Sequence, residues 1–328
     1  MGSFLNKIFS FFKNLIFSFF SKKNYGDINK IKSGYVKSKI FSYLYIRKFY
    51  KLIKYNKKIQ AIQKIGLEDY RALSNIEIEI ITNTTNLTEI TKFMQKNKNN
   101  IDLIHIYAKN GGIIKEINSE KKNIDLKFQK IIIRIDIRIR TFKDLFFECG
   151  WIKKINYFRA YNNNIASMKN LCSWCNDIKE IDLDFSFFKT KKVKDMSHMF
   201  SQCQNLEKVR LANFENKSLL TIRGMFEGCA SLRTVEFSNF NTETVYDMSD
   251  LFKDCFYLNK LIFTNFRTDN VINMNSMFNS CVSLKDIDLS GFNFDNVLEF
   301  DFMFTDCTDE FKDKINSKGL NIGEEAFY

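Results

Sequence analysis

An α/β solenoid, a stack of about seven 26-residue helix–strand units preceded by a helical N-terminal region, is the fold this 328-residue sequence predicts. Three observations predict it. Seven cysteines (Cys149, Cys175, Cys203, Cys229, Cys255, Cys281 and Cys307) recur at intervals of 26, 28, 26, 26, 26 and 26 residues, inside phrases such as MFSQC, MFEGC, LFKDC and MFNSC. Ahead of each Cys, apolar residues fall at i, i+3, i+4 and i+7, as Met248, Leu251, Phe252 and Cys255 do, which is the spacing of one helix face. Behind it, C-x-x-L-x-x-[VIL]-x-[LF] ends on alternating apolar positions, as a half-buried strand requires. Units of that size bury their apolar faces only against their neighbours.

The elements follow in chain order. Residues 1–64 hold 15 Lys/Arg and a single acid, Asp27, whereas residues 65–328 are close to neutral. The basic head therefore predicts attraction to an anionic surface, membrane or nucleic acid. Within residues 1–30, Phe4, Phe9, Phe12 and Phe19 gather on one side of a helical wheel and Lys7 and Lys13 on the other, with Lys22 and Lys23 following. That pattern predicts a basic amphipathic helix lying in a membrane interface. Two lysines inside the 17 residues from Phe4 to Phe20 oppose a transmembrane span. Gly2 supplies the glycine N-acylation needs, though Asn6 stands where Ser or Thr is preferred. A targeting helix, or a helix packed on the fold, is the alternative.

Residues 31–75 predict a helical module, with Ile40, Leu44 and Tyr45 on one face and Phe49, Leu52 and Ile53 on another. Residues 76–140 read as a mixed α/β region that ends in a strand, Ile131–Arg140, where isoleucine alternates with Arg134, Asp136, Arg138 and Arg140. Its position just before the repeats predicts an N-terminal capping strand. In the repeats, 141–308, Asn-Phe or Gly-Phe pairs (Asn213-Phe214, Asn239-Phe240, Asn265-Phe266, Gly291-Phe292) turn the chain after each strand. The two extra residues between Cys175 and Cys203 fit a longer turn near Phe187 and Phe188. Residues 309–328 lose the period and turn polar, as a C-terminal cap should.

The phrase NFNTETVYDMSDLFKDCFYLNKL resembles BspA-type leucine-rich repeats, and the resemblance runs over about residues 141–308. It implies a leucine-rich-repeat solenoid used for adhesion or protein binding. The segment KIFSYL, followed by a basic helix, resembles the F-box, which implies a substrate adaptor of a ubiquitin ligase docking through residues 35–64. That family's Leu-Pro start and closing Cys-x-x-Trp are missing here.

Function is expected on the strand face. The outward positions are Lys154/Asn156, Glu180/Asp182, Lys208/Arg210, Thr234/Glu236, Lys260/Ile262 and Asp286/Asp288. Four bases among five acids make no stripe for a phosphate backbone, so a protein partner fits better than a nucleic acid. Cys172 and Cys175 form a CxxC, yet they fill the Phe and Cys slots of the repeat; the only histidines are His105 and His198. No catalytic constellation, metal site or cofactor is expected. The cysteines predict buried, reduced thiols in a cytoplasmic protein with no cleavable signal peptide. The sequence thus predicts a non-enzymatic interaction scaffold tethered to an anionic membrane, with the ligase adaptor as the alternative.

Overall fold

Alternate backbone N–H groups in each repeat reach out of their own coil to the next one, and this sets the architecture. The computed structural model describes residues 75–82, 87–97, 104–110, 113–117, 130–136, 139–159, 165–188, 190–320 and 322–328. Gly2, the membrane-binding set (Phe4, Phe9, Phe12, Phe19, Lys7, Lys13, Lys22, Lys23) and the module of residues 31–74 lie outside the described residues.

The repeats form a solenoid, but the segment before each Cys is no helix. Met248–Leu251 and Phe252–Cys255 are two consecutive four-residue turns, closed by Leu251 N–H to Met248 O (3.3 Å) and Cys255 N–H to Phe252 O (3.1 Å). The third residue of each turn, Asp250 and Asp254, has a positive φ of 55° and 59°, the type II pattern. In a helix Phe252 N–H would donate to Met248 O. Here the N–H groups of Met248, Asp250, Phe252 and Asp254 donate instead to the carbonyls of Asn273, Asn275, Met277 and Asn279 in the next coil, each at 2.9 Å. Two such turns also point residues i, i+3, i+4 and i+7 inward, so the spacing that predicts a helix is met without one. Left-handed residues recur at both positions in every coil, from Asp144 and Glu148 to Phe302 and Asp306. Only Gly224 and Gly228 are glycines there, and a Cβ on Gly224 would sit 2.5 Å from the His198 ring stacked above it.

The opening residue of each coil (Thr141, Ser167, Asp195, Thr221, Asp247, Asn273, Glu299) bridges to its counterpart in the next. From Thr141 to Asn273 its side-chain oxygen also accepts the N–H two residues on, as Asp247 Oδ1 does from Ser249 at 3.1 Å. After the turns, each coil adds a short strand. The strands β6 (Glu180–Asp184), β7 (Lys208–Phe214), β8 (Thr234–Phe240) and β9 (Lys260–Phe263) pair in parallel in the order β6-β7-β8-β9. The two extra residues fall where a 3-10 turn, Phe185–Phe187, follows β6.

Between turns and strands the same side chains stack coil on coil. Phe200, Phe226, Phe252, Phe278 and Phe304 are fully buried, with successive ring centroids 5.6–5.8 Å apart. Burial of each ring contributes about 1.5–3 kcal/mol, and each ring pair about 0.5–1.5 kcal/mol more. Beside them runs a thiol ladder. The Sγ–H of Cys229, Cys255, Cys281 and Cys307 donates to the carbonyl of Phe200, Phe226, Phe252 and Phe278 at 3.1–3.2 Å. All eight cysteines are buried and free of disulfides.

Both ends of the stack are closed. Upstream lies a five-stranded antiparallel sheet of order β3-β2-β4-β1-β5, made of β1 (Asn75–Thr82), β2 (Ile104–Asn110), β3 (Ile113–Ile117), β4 (Lys130–Asp136) and β5 (Ile152–Arg159). β5 belongs to the first coil, and its partner is β1, with Ile80 opposite Ile155. The strand within Ile131–Arg140 is β4, one place further out between β2 and β1, so the capping strand is β1 instead. Alternating isoleucines suit both strands equally; adjacency in sequence does not decide adjacency in the sheet. Helix α1 (Leu87–Lys96) buries Ile90, Phe93 and Met94, and Phe93 stacks on Phe146 of the first coil at 5.7 Å. At the far end α2 (Asp309–Ser317), capped by Thr308, buries Phe311 and Ile315. Phe327 stacks on Phe304 at 5.5 Å, while Phe302 and Phe304 N–H donate to the carbonyls of Glu325 and Ala326.

Two predictions follow from the thiol ladder. Burial pushes the Cys229 thiol from an ordinary 9.0 up to about 12, so the unfolded chain sheds this proton first as pH rises. Its share of the stability is complete below pH 9 and declines toward pH 12, by about 1.4 kcal/mol per pH unit; urea unfolding of Cys229→Ala should show a correspondingly flatter decline. Cys255 is fully buried, and Cys255→Asp places a carboxylate there, which should cost at least about 3 kcal/mol in the same assay. Rapid alkylation of native thiols at neutral pH would contradict both.

Candidate interaction surface

The parallel register of the four solenoid strands decides which outward side chains meet. Glu180, Lys208, Thr234 and Lys260 stand opposite one another in one row, and Asp182, Arg210, Glu236 and Ile262 in a second. Rows of a parallel sheet repeat every ~4.8 Å, so unlike charges on adjacent strands pair along the lane. Arg210 sits between two carboxylates, with Nη1 2.9 Å from Asp182 Oδ1 and Nε 3.5 Å from Glu236 Oε1. The hydrogen bond to Asp182, with the charges of Asp182 and Glu236, raises the Arg210 pKa above its ordinary value. These pairs are half-exposed and worth little individually; they hold the Arg210 guanidinium between the two neighbouring strands.

The corner beyond the lane is built by asparagine. Asn213, Asn239 and Asn265 have φ of 58°, 54° and 60°, a conformation that Asn tolerates better than most residues. Their side chains form a ladder: Asn213 donates to Asp184 (3.0 Å), Asn239 to Asn213 (3.3 Å) and Asn265 to Asn239 (3.0 Å). Burial alone would raise the Asp184 pKa, but hydrogen bonds from Ser186 and Asn213 outweigh it and hold the carboxyl below its ordinary value.

The remaining predicted lane residues lie outside this register. Asp286 and Asp288 fall beyond β9, the last strand. Lys318 of the C-terminal cap approaches Asp286 at 3.6 Å and donates to Ile287 O at 2.6 Å. Lys154 lies on β5, opposite Ile81 of β1. On the same face Asn156 donates to Glu79 Oε1 at 2.7 Å, and Lys109 to Glu79 Oε2 at 3.2 Å. Burial raises the Glu79 pKa, yet these hydrogen bonds prevail and lower it. The antiparallel sheet therefore carries a second mixed-charge face, with Arg134 paired to Glu77 at 3.1 Å and lying over the Tyr107 ring at 4.9 Å.

His105 pairs with Glu116 at 3.0 Å on the antiparallel sheet, whereas His198 pairs with Glu227 at 3.2 Å on the turn side of the solenoid. The two imidazoles serve separate surfaces. Cys172 and Cys175 are completely buried, in line with the other rungs. Among the described residues no three His, Cys, Asp or Glu side chains are grouped to hold a metal ion, and no helix is long and apolar enough to cross a membrane. One surface escaped the sequence reading: Leu220, Tyr246, Ile272 and Leu298 are exposed at one repeat position. The signal was present as an apolar pair at each coil start (Leu219-Leu220, Val245-Tyr246, Val271-Ile272, Val297-Leu298), of which only the first member faces the core.

No curated protein and no solved structure shows significant similarity to the chain. A family model described as "Mycoplasma protein of unknown function, DUF285" matches three overlapping stretches, residues 140–235, 166–262 and 221–322. The first two begin one coil apart, as a match to stacked repeats should, and together the three span the solenoid, more than half of the chain. The chain belongs to the DUF285 family.

Proposed function

We propose that this protein is a non-enzymatic interaction scaffold of the leucine-rich-repeat type, which presents the lane of β6–β9 to a protein partner at a membrane surface. The observation that carries the reading is the lane itself: outward charged side chains on four strands in register, above a core of stacked Phe and Cys. Side chains fixed at regular intervals on a packed scaffold recognise a complementary surface with little ordering cost. The mixed charge of the lane favours a protein over a phosphate backbone. One short parallel strand per coil, with a turn-rich return, supports the leucine-rich-repeat assignment.

Membrane tethering rests on the sequence of residues 1–64: a Phe-rich helix face for apolar burial and 15 basic residues for attraction.

Two measurements test these parts separately. In proximity labelling with the intact protein, Lys208→Glu/Arg210→Glu should lose the partners labelled by the wild type, while stability changes by less than about 1 kcal/mol. Unchanged labelling would remove the lane from consideration, and a cullin or its adaptor among the partners would favour the ligase-adaptor reading. In vesicle co-sedimentation, the full chain should bind anionic vesicles, bind neutral ones poorly and weaken as salt rises. Phe9→Asp/Phe12→Asp/Phe19→Asp should abolish binding at every salt concentration; full retention would exclude the helix as the anchor.

A further inference from the structure

The residue before each coil's opening residue stacks on its counterpart through the backbone. Ala166, Lys194, Leu220, Tyr246, Ile272 and Leu298 each donate their N–H to the same position one coil earlier, at 2.8–3.0 Å. This column starts Arg140, Ala166, Lys194 and then becomes apolar for its last four rungs. Those four side chains are 38%, 46%, 42% and 77% exposed. The core does not need them, because Leu219, Val245, Val271 and Val297 fill the inward position beside them. Contiguous exposed apolar side chains of this kind mark contact surfaces.

Charge around the column identifies what would cover it. Three bases flanking the apolar rungs are engaged, Lys217 with Glu243 (4.0 Å), Arg223 with Asp250 (3.1 Å) and Arg267 with Asp269 (2.6 Å), whereas the exposed Lys191, Lys192 and Lys194 lie at the upstream end, before Leu220. Asp247, Asp295, Glu299 and Asp301 form no ion pair with a basic side chain among the described residues. Residues 295–328 carry nine acids against three bases. Around the downstream rungs Ile272 and Leu298 an anionic membrane or a nucleic acid would be repelled, and a basic protein segment attracted.

Spacing identifies its shape. The rungs are ~4.8 Å apart, close to the ~5.4 Å that separates successive turns on one face of a helix. A strand laid along the column would bring same-face side chains only every ~6.6–6.8 Å and lose step. We infer that Leu220, Tyr246, Ile272 and Leu298 form a docking strip for a basic amphipathic helix of a protein partner, aligned with the solenoid axis. The partner's apolar face covers the strip, and its Lys or Arg side chains reach Asp247, Asp295, Glu299 and Asp301. This surface is separate from the strand lane, and neither reading depends on the other.

The test uses full-length protein and two fluorescent designed 18-residue helices, one with leucines backed by lysines and one with glutamates replacing the lysines. In low-salt anisotropy titrations the basic peptide should bind at micromolar concentration and the acidic one at least tenfold more weakly. Ile272→Ser/Leu298→Ser should weaken the basic peptide at least tenfold, Asp295→Lys/Glu299→Lys severalfold, and Lys208→Glu on the strand lane not at all, with circular dichroism unchanged throughout. Equal binding of both peptides, no binding at tens of micromolar, or indifference to Ile272→Ser/Leu298→Ser would overturn the inference. Sedimentation showing a wild-type dimer that Ile272→Ser/Leu298→Ser converts to monomer would also overturn it, assigning the strip to a second copy.

Discussion

Every coil depends on where its alternate N–H groups go. Met248, Asp250, Phe252 and Asp254 would be orphaned donors if the next coil were out of step, and buried N–H groups left unpaired are costly. The need to meet the carbonyls of Asn273, Asn275, Met277 and Asn279 fixes the repeat at 26 residues more tightly than apolar packing alone would. Once that register is kept, the rest follows: Phe lies over Phe, each thiol lies beside the preceding carbonyl, and the asparagine corners align. Where two residues are added, they are accommodated beside Phe185–Phe187, on the strand side, and the turn side keeps its step.

A stack that buries each unit only against its neighbours has exposed ends, and here both are met with aromatic rings. Phe93 of α1 covers Phe146 in the first coil, and Phe311 and Phe327 cover Phe304 in the last. The caps also deal with the sheet edge. Beyond β9, Lys314 and Lys318 of the terminal segment donate to the carbonyls of Lys285 and Ile287, giving partners to groups that could otherwise template pairing with another chain. The N-terminal sheet achieves the same by pairing β1 with β5 and tying the two strands together through Glu79 and Asn156.

The period, the buried cysteines, the strand positions and the outward lane from Glu180 to Lys260 were legible because each rests on a pattern that repeats. The helix was not, for a physical reason. Two consecutive turns present the same inward spacing as a helix face, and the left-handed residues that tell them apart are mostly Asp, Ser, His, Gln and Trp instead of Gly. Sequence carries no strong mark of positive φ at such residues; the paired glycines Gly224 and Gly228 were the single hint. The opening residues Thr141, Ser167, Asp195, Thr221, Asp247 and Asn273 added to the ambiguity, since the side-chain oxygens that close their turns also cap helices. Strand order upstream was hidden because β1 and β4 alternate isoleucine with charge in the same way. In the apolar column, the exposed member of each pair was hidden behind its buried neighbour.

The turn side has an electrical direction. The carbonyls of Asp247, Ser249, Leu251 and Lys253 accept from the preceding coil, while the N–H groups of the residues that follow them donate to the next. Four files of peptide groups therefore run the length of the stack with their dipoles parallel, as in a helix but carried between coils. The carbonyl end, partly negative, is the first coil, where the Lys96 ammonium donates to Phe147 O at 2.8 Å. The N–H end, partly positive, is the last, where the carbonyls of Glu325 and Ala326 receive two of the four files, from Phe302 and Phe304, in a segment that carries Glu324 and Glu325. Cation at one end and anions at the other match the field of the stacked peptides, so the solenoid is polar along its axis. A charged partner approaching it meets two unlike ends, and every coil added or removed changes the distance between them.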